Sequence, residues 1–203
     1  NFLIRIFISI FFLFIYLFLS IYNFGYIFYL IIFIYLLILY EILVNFKKFK
    51  ILIIIYLLFS LIFLFNIEFK MEHLVNFNLM VLIVITFDIF SYFVGSLYGK
   101  RKFLGYISPN KTIEGLIGGI FFTILISIFY SYLFQINFSY ILAVFILLII
   151  FSSFLGDIIE SIFKRANNIK NSSNLLLGHG GFFDRFDSFV LSLVSFSLLY
   201  KLL

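Results

Sequence analysis

Cysteine and tryptophan are absent from this chain of 203 residues, which also has only one proline and two histidines. The lack of cysteine excludes disulfides, thiolate metal sites and cysteine nucleophiles. Two histidines leave little scope for a histidine-based zinc site. Charged residues are also scarce, at 11% of the chain, where about a quarter is usual in a soluble domain. Because 65% of the residues are hydrophobic, the chain cannot cover itself with polar groups, and we predict that lipid surrounds it.

Long apolar runs account for this composition. A membrane-crossing helix needs about 20 apolar residues. Seven runs of roughly that length lie between polar breaks, at residues 4–22, 26–44, 51–66, 74–97, 113–134, 140–158 and 186–203. The runs are continuously apolar rather than alternating, which favours helices over barrel strands. We therefore predict an all-α fold, a polytopic transmembrane helix bundle. It forms a single membrane domain over 1–203, with N-terminal spans in 1–73 and the catalytic spans in 74–203.

The positions of lysine and arginine give an orientation. If the seven runs cross in turn, twelve of the fourteen basic residues fall on one side, and Lys70 and Lys201 fall on the other. Basic residues accumulate in cytoplasmic loops. The pattern predicts a cytosolic N-terminus and a polar site that faces the cytosol. We expect the membrane to be the cytoplasmic membrane of a bacterium.

Six of the nine acidic residues lie at this cytosolic level, in a span or beside one. They are Asp88, Glu114, Asp157, Glu160, Asp184 and Asp187. A charged side chain at the centre of a span costs about 2.5–3.5 kcal/mol on insertion scales, so such residues indicate function. A set of ordinary interfacial salt bridges is the alternative. The remaining acids have simpler explanations: Glu41 can pair with Lys47 or Lys48, and the other two lie in an outer loop.

The segment GDIIESIFKR (156–165) places four polar side chains on one helix face. Asp157, Glu160, Ser161 and Lys164 follow at i, i+3, i+4 and i+7. A plain helix end with a Glu160–Lys164 pair, worth a few tenths of a kcal/mol, is the alternative. The depth of Asp157, which directly follows an apolar run, argues against that alternative.

The segment GHGGFFDRFDS (178–188) combines glycines with two acids one helical turn apart. Asp184 and Asp187 can bind a hard cation, since Mg²⁺ takes one or two carboxylates together with substrate phosphates. Arg185 can meet an anion. Gly178, Gly180 and Gly181 allow close backbone approach to a ligand. Together these features predict a site for phosphate and metal.

A third polar region covers residues 88–115. Asp88, Tyr92, Gly95 and Gly99 recur on one helix face. In the following loop, SPNKTIEG, either Ser108 or Thr112 can cap a helix whose first turn holds Glu114, where negative charge is favoured. Lys111 can steer an anion. A capped helix without any binding role explains this loop equally well.

These segments resemble a known family. SIFKRANNIKNSSNLLLGHGGFFDRFDS (161–188) is similar to the C-terminal signature of the CDP-diacylglycerol synthases, also called phosphatidate cytidylyltransferases. YFVGSLYGK and ISPNKTIEGLIGG resemble the second characteristic region of that family, and Asp157 and Glu160 match the segment upstream of the signature. The resemblance covers about residues 85–190. Two positions depart from it: Asn171 replaces an aspartate, and Leu177 replaces a proline.

The resemblance implies an enzyme of phospholipid biosynthesis. It would transfer a cytidylyl group from CTP to phosphatidate, giving CDP-diacylglycerol and pyrophosphate, with Mg²⁺ and a second monovalent or divalent cation as cofactors. The implied partners are CTP, phosphatidate, membrane lipid and a second copy in a homodimer, and no nucleic acid.

The resemblance also implies roles for individual residues. The metal ligands would be Asp157, Asp184 and Asp187, with Glu160 beside them. The catalytic set would comprise Asp157, Lys164, Arg165, Asp184 and Asp187. The phosphates of CTP and phosphatidate would meet Lys164, Arg165, Lys170 and Arg185, with Ser161 on the same face. The nucleotide pocket would be shaped by His179, Gly180 and Gly181, and a second substrate wall by Asp88, Ser108, Lys111, Thr112 and Glu114.

Three other functions stay open from the residues. A CTP-dependent polyprenol or phytol kinase shares parts of the fold and motif. A small membrane transporter can also carry intramembrane acids, but transporters place their binding groups near the midplane between repeats, and no internal repeat is evident. Asn171 leaves open an inactive relative of the synthases.

Overall fold

The described part of the chain is entirely helical apart from loops. The computed structural model describes residues 2–103, 105, 107–108, 111–176 and 180–203, with side chains from residue 10 onward. The seven α-helices are α1 (Phe2–Tyr22), α2 (Gly25–Asn45), α3 (Lys50–Phe65), α4 (Leu74–Tyr98), α5 (Ile113–Leu133), α6 (Tyr140–Ala166) and α7 (Phe183–Leu199). A short 3-10 helix, Met71–His73, precedes α4. Within the described ranges there is no strand, only two isolated bridges. The predicted all-α fold is confirmed.

Each of the seven predicted runs corresponds to one helix, and two of the helices differ from the prediction in extent. The sixth run was expected to end at residue 158, but α6 continues to Ala166 and so carries Lys164 and Arg165 on its last turn. The seventh begins at Phe183, which places Asp184 in the first turn of α7. In both cases charged residues extend the helix beyond the apolar run, because the backbone hydrogen bonds of a helix do not require apolar side chains.

Four of the described helices are long and apolar enough to cross a membrane. They are Gly25–Asn45, Met71–Tyr98, Ile113–Leu133 and Tyr140–Ala166. Two further apolar helices are shorter: Ile10–Tyr22, the part of α1 whose side chains are described, and Lys50–Phe65, which is α3. Large apolar side chains such as Tyr29, Phe129 and Phe151 are more than half exposed, as expected for surfaces that meet lipid. The count of seven spans and the cytosolic N-terminus stay predictions.

The chain divides into two compact units, each built from separate segments. The first unit comprises Asn1–Leu74 and Phe163–Asp187, and the second comprises Val75–Ile162 and Ser188–Leu203. The single membrane domain over 1–203, with its N-terminal spans in 1–73 and its catalytic spans in 74–203, stays a prediction. The segment with most of the sequence signature belongs to the first unit, and the segment with Asp88, Lys111 and Asp157 belongs to the second.

In the first unit, α2 packs against α1 and α3. One face of α2 is buried, and its members recur every three or four residues: Ile27, Ile31, Ile34, Tyr35, Ile38, Glu41 and Ile42. The hydroxyl groups of Tyr35 and Ser60 are 2.6 Å apart and link α2 to α3. Phe46, just after α2, packs edge-on against Phe183 at the start of α7. The residue that follows α2 thus contacts the segment of the first unit that carries most of the signature.

In the second unit, α4 and α5 approach closely through small residues. The buried positions of α5 are Gly115, Gly119, Thr123, Ser127 and Ser131, one residue in every four. A Cβ atom added at Gly115 would lie 2.6 Å from the carbonyl oxygen of Ser91 on α4. Small residues permit this kind of close backbone contact between membrane helices. The close contact fixes α4 against the first turn of α5, beside Thr112.

Candidate active site

The first unit holds a network of two carboxylates around the signature segment. Asp184 accepts a hydrogen bond on Oδ1 from Lys164 Nζ at 2.7 Å. Its Oδ2 accepts from Ser172 N at 2.9 Å, Ser172 Oγ at 3.0 Å and Gly181 N at 2.8 Å. The Lys164 and Asp184 side chains are only 13% and 9% exposed. This buried ion pair therefore connects the end of α6 to the start of α7 and to the loop between them.

The contacts of Asp184 bear on its predicted role as a metal ligand. A carboxylate has about four lone-pair directions. Three donors already surround Oδ2, and Lys164 uses one direction on Oδ1. A metal ion at Asp184 would have to share Oδ1 with the lysine. Its role as a ligand stays a prediction, and the structure shows in addition that Asp184 orients Lys164 and the backbone of Gly181.

Glu41 is the second carboxylate of the network, and the sequence analysis misread it. The predicted pairing with Lys47 or Lys48 is wrong, since the Glu41 side chain is 0% exposed and both lysines are exposed. Its Oε1 accepts from Ser173 Oγ and Phe182 N, both at 2.7 Å. The signal was present: Glu41 is the only charged residue in an apolar helix of 21 residues.

Two glycines shape the loop between α6 and α7. Gly180 adopts φ +84°, a left-handed conformation that favours glycine. A Cβ atom on Gly181 would lie 2.5 Å from Glu41 Oε2, which is too close for any side chain. Leu176 N donates to Gly180 O at 3.0 Å. Carboxylates of the protein itself thus lie close to Gly180 and Gly181, and the predicted approach of a ligand to these glycines stays a prediction.

The second unit contains a cavity of about 180 Å³ with one lysine and two aspartates in its wall. Lys111 Nζ is 2.6 Å from Asp157 Oδ2 and 4.9 Å from the centre of the Phe154 ring. Asp157 Oδ1 also accepts a long hydrogen bond, 3.4 Å, from Ser161 Oγ. Asp88 Oδ1 accepts a long hydrogen bond, 3.5 Å, from Ser188 Oγ on α7. Lys111 is thus held between an acid and an aromatic ring, in a cavity whose wall also contains the polar side chains of Ser91 and Thr112.

Comparison with known proteins identifies the family. A model of the cytidylyltransferase family matches residues 2–203. The chain belongs to the cytidylyltransferase family. Relatives named phosphatidate cytidylyltransferase include those of Staphylococcus aureus (strain COL), at 39% identity over 139 residues, and Bacillus subtilis (strain 168), at 43% over 102 residues. These alignments cover 68% and 49% of this chain, and 53% and 38% of the relatives. The chain thus spans about half the length, or less, of the curated relatives it matches.

Membership of the cytidylyltransferase family confirms the resemblance drawn from the signature. The apolar helices, together with these relatives, also indicate a membrane protein. Asn171, one of the two departures from the signature, is exposed. The other, Leu177, lies outside the described residues, as do Gly178 and His179.

The remaining predicted site residues fall into two groups, one in each unit. Lys170 and Arg185 are exposed in the first unit, whereas Arg165 is half-buried there and contacts Ile169 O through Nη1 at 3.5 Å. Asp187 is half-buried one turn after Asp184. In the second unit Glu160 and Ser161 are buried on α6, one turn after Asp157.

The loop before α5 is held by its own residues. Thr112 is the N-cap of α5, and its side chain accepts from Gly115 N at 3.1 Å. Glu114 Oε2 accepts from the backbone N–H groups of Lys100 and Arg101, both at 3.1 Å. Ser108 accepts a backbone bond from Lys111 N through its carbonyl. Of the two predicted caps, Thr112 is the one used. Substrate contacts for Ser108, Thr112 and Glu114 stay predictions.

Proposed function

We propose that this protein is a phosphatidate cytidylyltransferase, which transfers a cytidylyl group from CTP to phosphatidate. The observation that carries the proposal is the Lys111–Asp157 pair at a cavity that Asp88 also lines. Such a cavity provides a cation for a lipid phosphate and carboxylates for a metal ion. Relatives of this name at 39% and 43% identity support the same activity and do not favour a polyprenol kinase or a transporter.

The proposed reaction needs no covalent intermediate with the protein. A phosphate oxygen of phosphatidate attacks the α-phosphorus of CTP, a new P–O bond forms, and the bond to the β-phosphate oxygen breaks with release of pyrophosphate. Two polyanions must therefore be held together, with negative charge increasing on the leaving group. Lys111 is suited to hold the phosphatidate phosphate, while Lys164, Lys170 and Arg185 are proposed for the phosphates of CTP. These cations offset the repulsion between the two substrates.

The residues fit the Mg²⁺ ion that the family implies. Carboxylate oxygens are the ligands that this ion prefers. Asp157 has one oxygen with only a long hydrogen bond from Ser161, and Glu160 follows it by one turn of α6. We propose Asp157 and Glu160 as ligands, and Asp184 and Asp187 keep the same proposed role from the sequence. When bound, the ion would neutralise charge on the substrate phosphates.

We propose further that the site faces the cytosol at the bacterial cytoplasmic membrane, as the distribution of basic residues predicts. CTP is made in the cytosol and cannot cross the bilayer unaided, whereas phosphatidate reaches the site from the lipid. A homodimer, which the family implies, is proposed on that resemblance alone.

The test is conversion of labelled CTP into a lipid product. The 203-residue chain, purified in detergent with phosphatidate and MgCl₂, should produce labelled CDP-diacylglycerol from CTP carrying label at the α-phosphate. Asp187→Asn should abolish this labelling while leaving membrane insertion intact, because the change keeps the side chain's shape and removes its charge. Glu72→Gln, in the outer loop, is the matched control.

Three results would contradict the proposal or part of it. Label transferred from γ-labelled CTP to a polyprenol, with none from α-labelled CTP to phosphatidate, would identify a kinase. Absence of product with either acceptor would exclude both enzymes for this chain. Full activity in Asp187→Asn would remove Asp187 from the metal site.

A further inference from the structure

Glu41 lies outside the sequence signature, yet its carboxylate lies within hydrogen-bond distance of four donor groups of the protein. It comes from the buried face of α2 and is 0% exposed. Each oxygen lies within hydrogen-bond distance of two donor groups. Oε1 is 2.7 Å from Ser173 Oγ and from Phe182 N, and Oε2 is 3.0 Å from Ser172 Oγ and from Phe183 N. All four donors belong to the segment 172–183, of which 172–176 and 180–183 are described, and which ends at the first residue of α7.

These donors lie at the two ends of that segment. Ser172 and Ser173 are its first residues, Phe183 is the first residue of α7, and Phe182 directly precedes it. The first N–H groups of a helix have no acceptor within the helix. A capping side chain normally supplies one from the same stretch of chain. Here Glu41 supplies it from α2, so one carboxylate holds both ends of the segment together.

The same contacts reach the buried ion pair. Ser172 Oγ lies 3.0 Å from Glu41 Oε2 and 3.0 Å from Asp184 Oδ2, so its single hydroxyl proton is shared between the two carboxylates. Asp184 in turn pairs with Lys164. Gly181 fits between them because it has no Cβ, which would lie 2.5 Å and 2.6 Å from the two oxygens of Glu41. The position of Lys164 is thus connected to α2 through two hydrogen-bonded carboxylates.

We propose that Glu41 is a positioning residue for nucleotide binding: it holds Ser172 and Ser173 together with Phe182 and Phe183 and, through Ser172, positions the Asp184–Lys164 pair. It contacts only donors of the protein, so it acts through the residues that it holds. Its consequence for catalysis rests on the proposed cytidylyl transfer, whereas its effect on the segment can be measured without any activity. Because the segment belongs to the part of the signature proposed for CTP, the kinetic effect should fall on CTP rather than on phosphatidate.

The decisive variant is Glu41→Gln. In either orientation of the amide, its NH₂ group would face a backbone N–H, of Phe182 or of Phe183, so one capping bond is necessarily lost. Hydrogen exchange measured by mass spectrometry should show amides of 172–183 exchanging about tenfold faster or more, with α3 and α4 unchanged. The KM for CTP should rise about tenfold, and the KM for phosphatidate should change by less than about twofold.

Two further variants keep the proposal falsifiable. Glu41→Asp retains the charge but is shorter by one methylene, and it should recover part of the CTP affinity, which a purely space-filling role would not allow. Glu72→Gln makes the same chemical change at an exposed loop position and should leave exchange and both KM values as in the wild type.

The outcomes separate this proposal from the proposed function. Unchanged exchange in 172–183 for Glu41→Gln would overturn the positioning role, whether or not the enzyme is active. Faster exchange throughout the chain, with equal changes in both KM values, would also overturn it, since Glu41 would then only stabilise the fold. A wild-type chain without CTP-dependent product would contradict the proposed function, while faster local exchange in Glu41→Gln would still support the positioning role of Glu41.

Discussion

Replacing Lys164 by methionine should destabilise the protein far more than the same change at an exposed lysine. Lys164 and Asp184 are 13% and 9% exposed, and their charged atoms are 2.7 Å apart. Removing one partner of a buried pair costs about 3–5 kcal/mol, because it leaves an uncompensated charge. Asp184 keeps three other hydrogen bonds, to Ser172 and Gly181. We therefore expect the lower end of that range, about 3 kcal/mol.

The chain supplies its own control for this prediction. Lys70 pairs with Glu68 across 2.5 Å, but the two side chains are 61% and 40% exposed. An exposed pair contributes about 0–1 kcal/mol, so Lys70→Met should have little effect. For a chain of about 200 residues, 3 kcal/mol corresponds to a fall in Tm on the order of 6–12 °C. Because the chain has no tryptophan, circular dichroism in a fixed detergent is the suitable measurement.

A double variant tests the physical reason. If the loss in Lys164→Met comes from the unpaired carboxylate, then adding Asp184→Asn should recover part of the Tm. High salt should reduce the small effect at Lys70 and leave that at Lys164 nearly unchanged, since buried pairs are weakly screened. Equal Tm shifts for the two lysines would refute the reasoning, and so would a double variant less stable than Lys164→Met alone.

Two further substitutions test the close contacts and the cavity. Gly181→Ala would force a Cβ against Glu41 and should lower the free energy of unfolding by about 1–3 kcal/mol. The control is Gly105→Ala, whose Cβ would meet nothing within 4 Å among the described residues, and its effect on thermal unfolding should stay within about 0.5 kcal/mol. Similar losses of stability in both variants would contradict the clash at Gly181. Lys111→Met removes the cation paired with Asp157 and should raise the KM for phosphatidate about ten- to a hundredfold in the labelling assay. Lys102→Met is the control at an exposed position. An unchanged KM in Lys111→Met would show that Lys111 does not bind the phosphate of phosphatidate.

The helices were predictable because lipid imposes a simple rule on sequence, whereas the partners of buried acids were not. Runs of about 20 apolar residues located all seven helices, and the spacing of Thr112 and Glu114 correctly indicated a capped start for α5. Glu41 shows where this kind of reasoning stops. Its sequence neighbours Lys47 and Lys48 suggested an ion pair, but its actual partners lie 131 to 142 positions later.

The residues of the signature illustrate the same limit. Their types indicated phosphate and metal chemistry, and family membership supports that indication. The sequence could not show that Asp184 is already bound by four donors, because three of these come from Ser172 and Gly181, whose contacts depend on how the loop folds back. A carboxylate in a motif can bind a ligand or orient its neighbours, and only geometry separates the two.

The long separation between Glu41 and its donors has a consequence for how the protein is made. Ribosomes add about 5–20 residues per second, so Ser172 is synthesised on the order of 7–26 s after Glu41. During this interval α2 carries a carboxylate without its final hydrogen bonds. The first three helices therefore cannot reach their final state when they leave the translocation machinery. A chain that ends before residue 172 would therefore leave the Glu41 carboxylate without the hydrogen-bond donors that surround it in the folded protein.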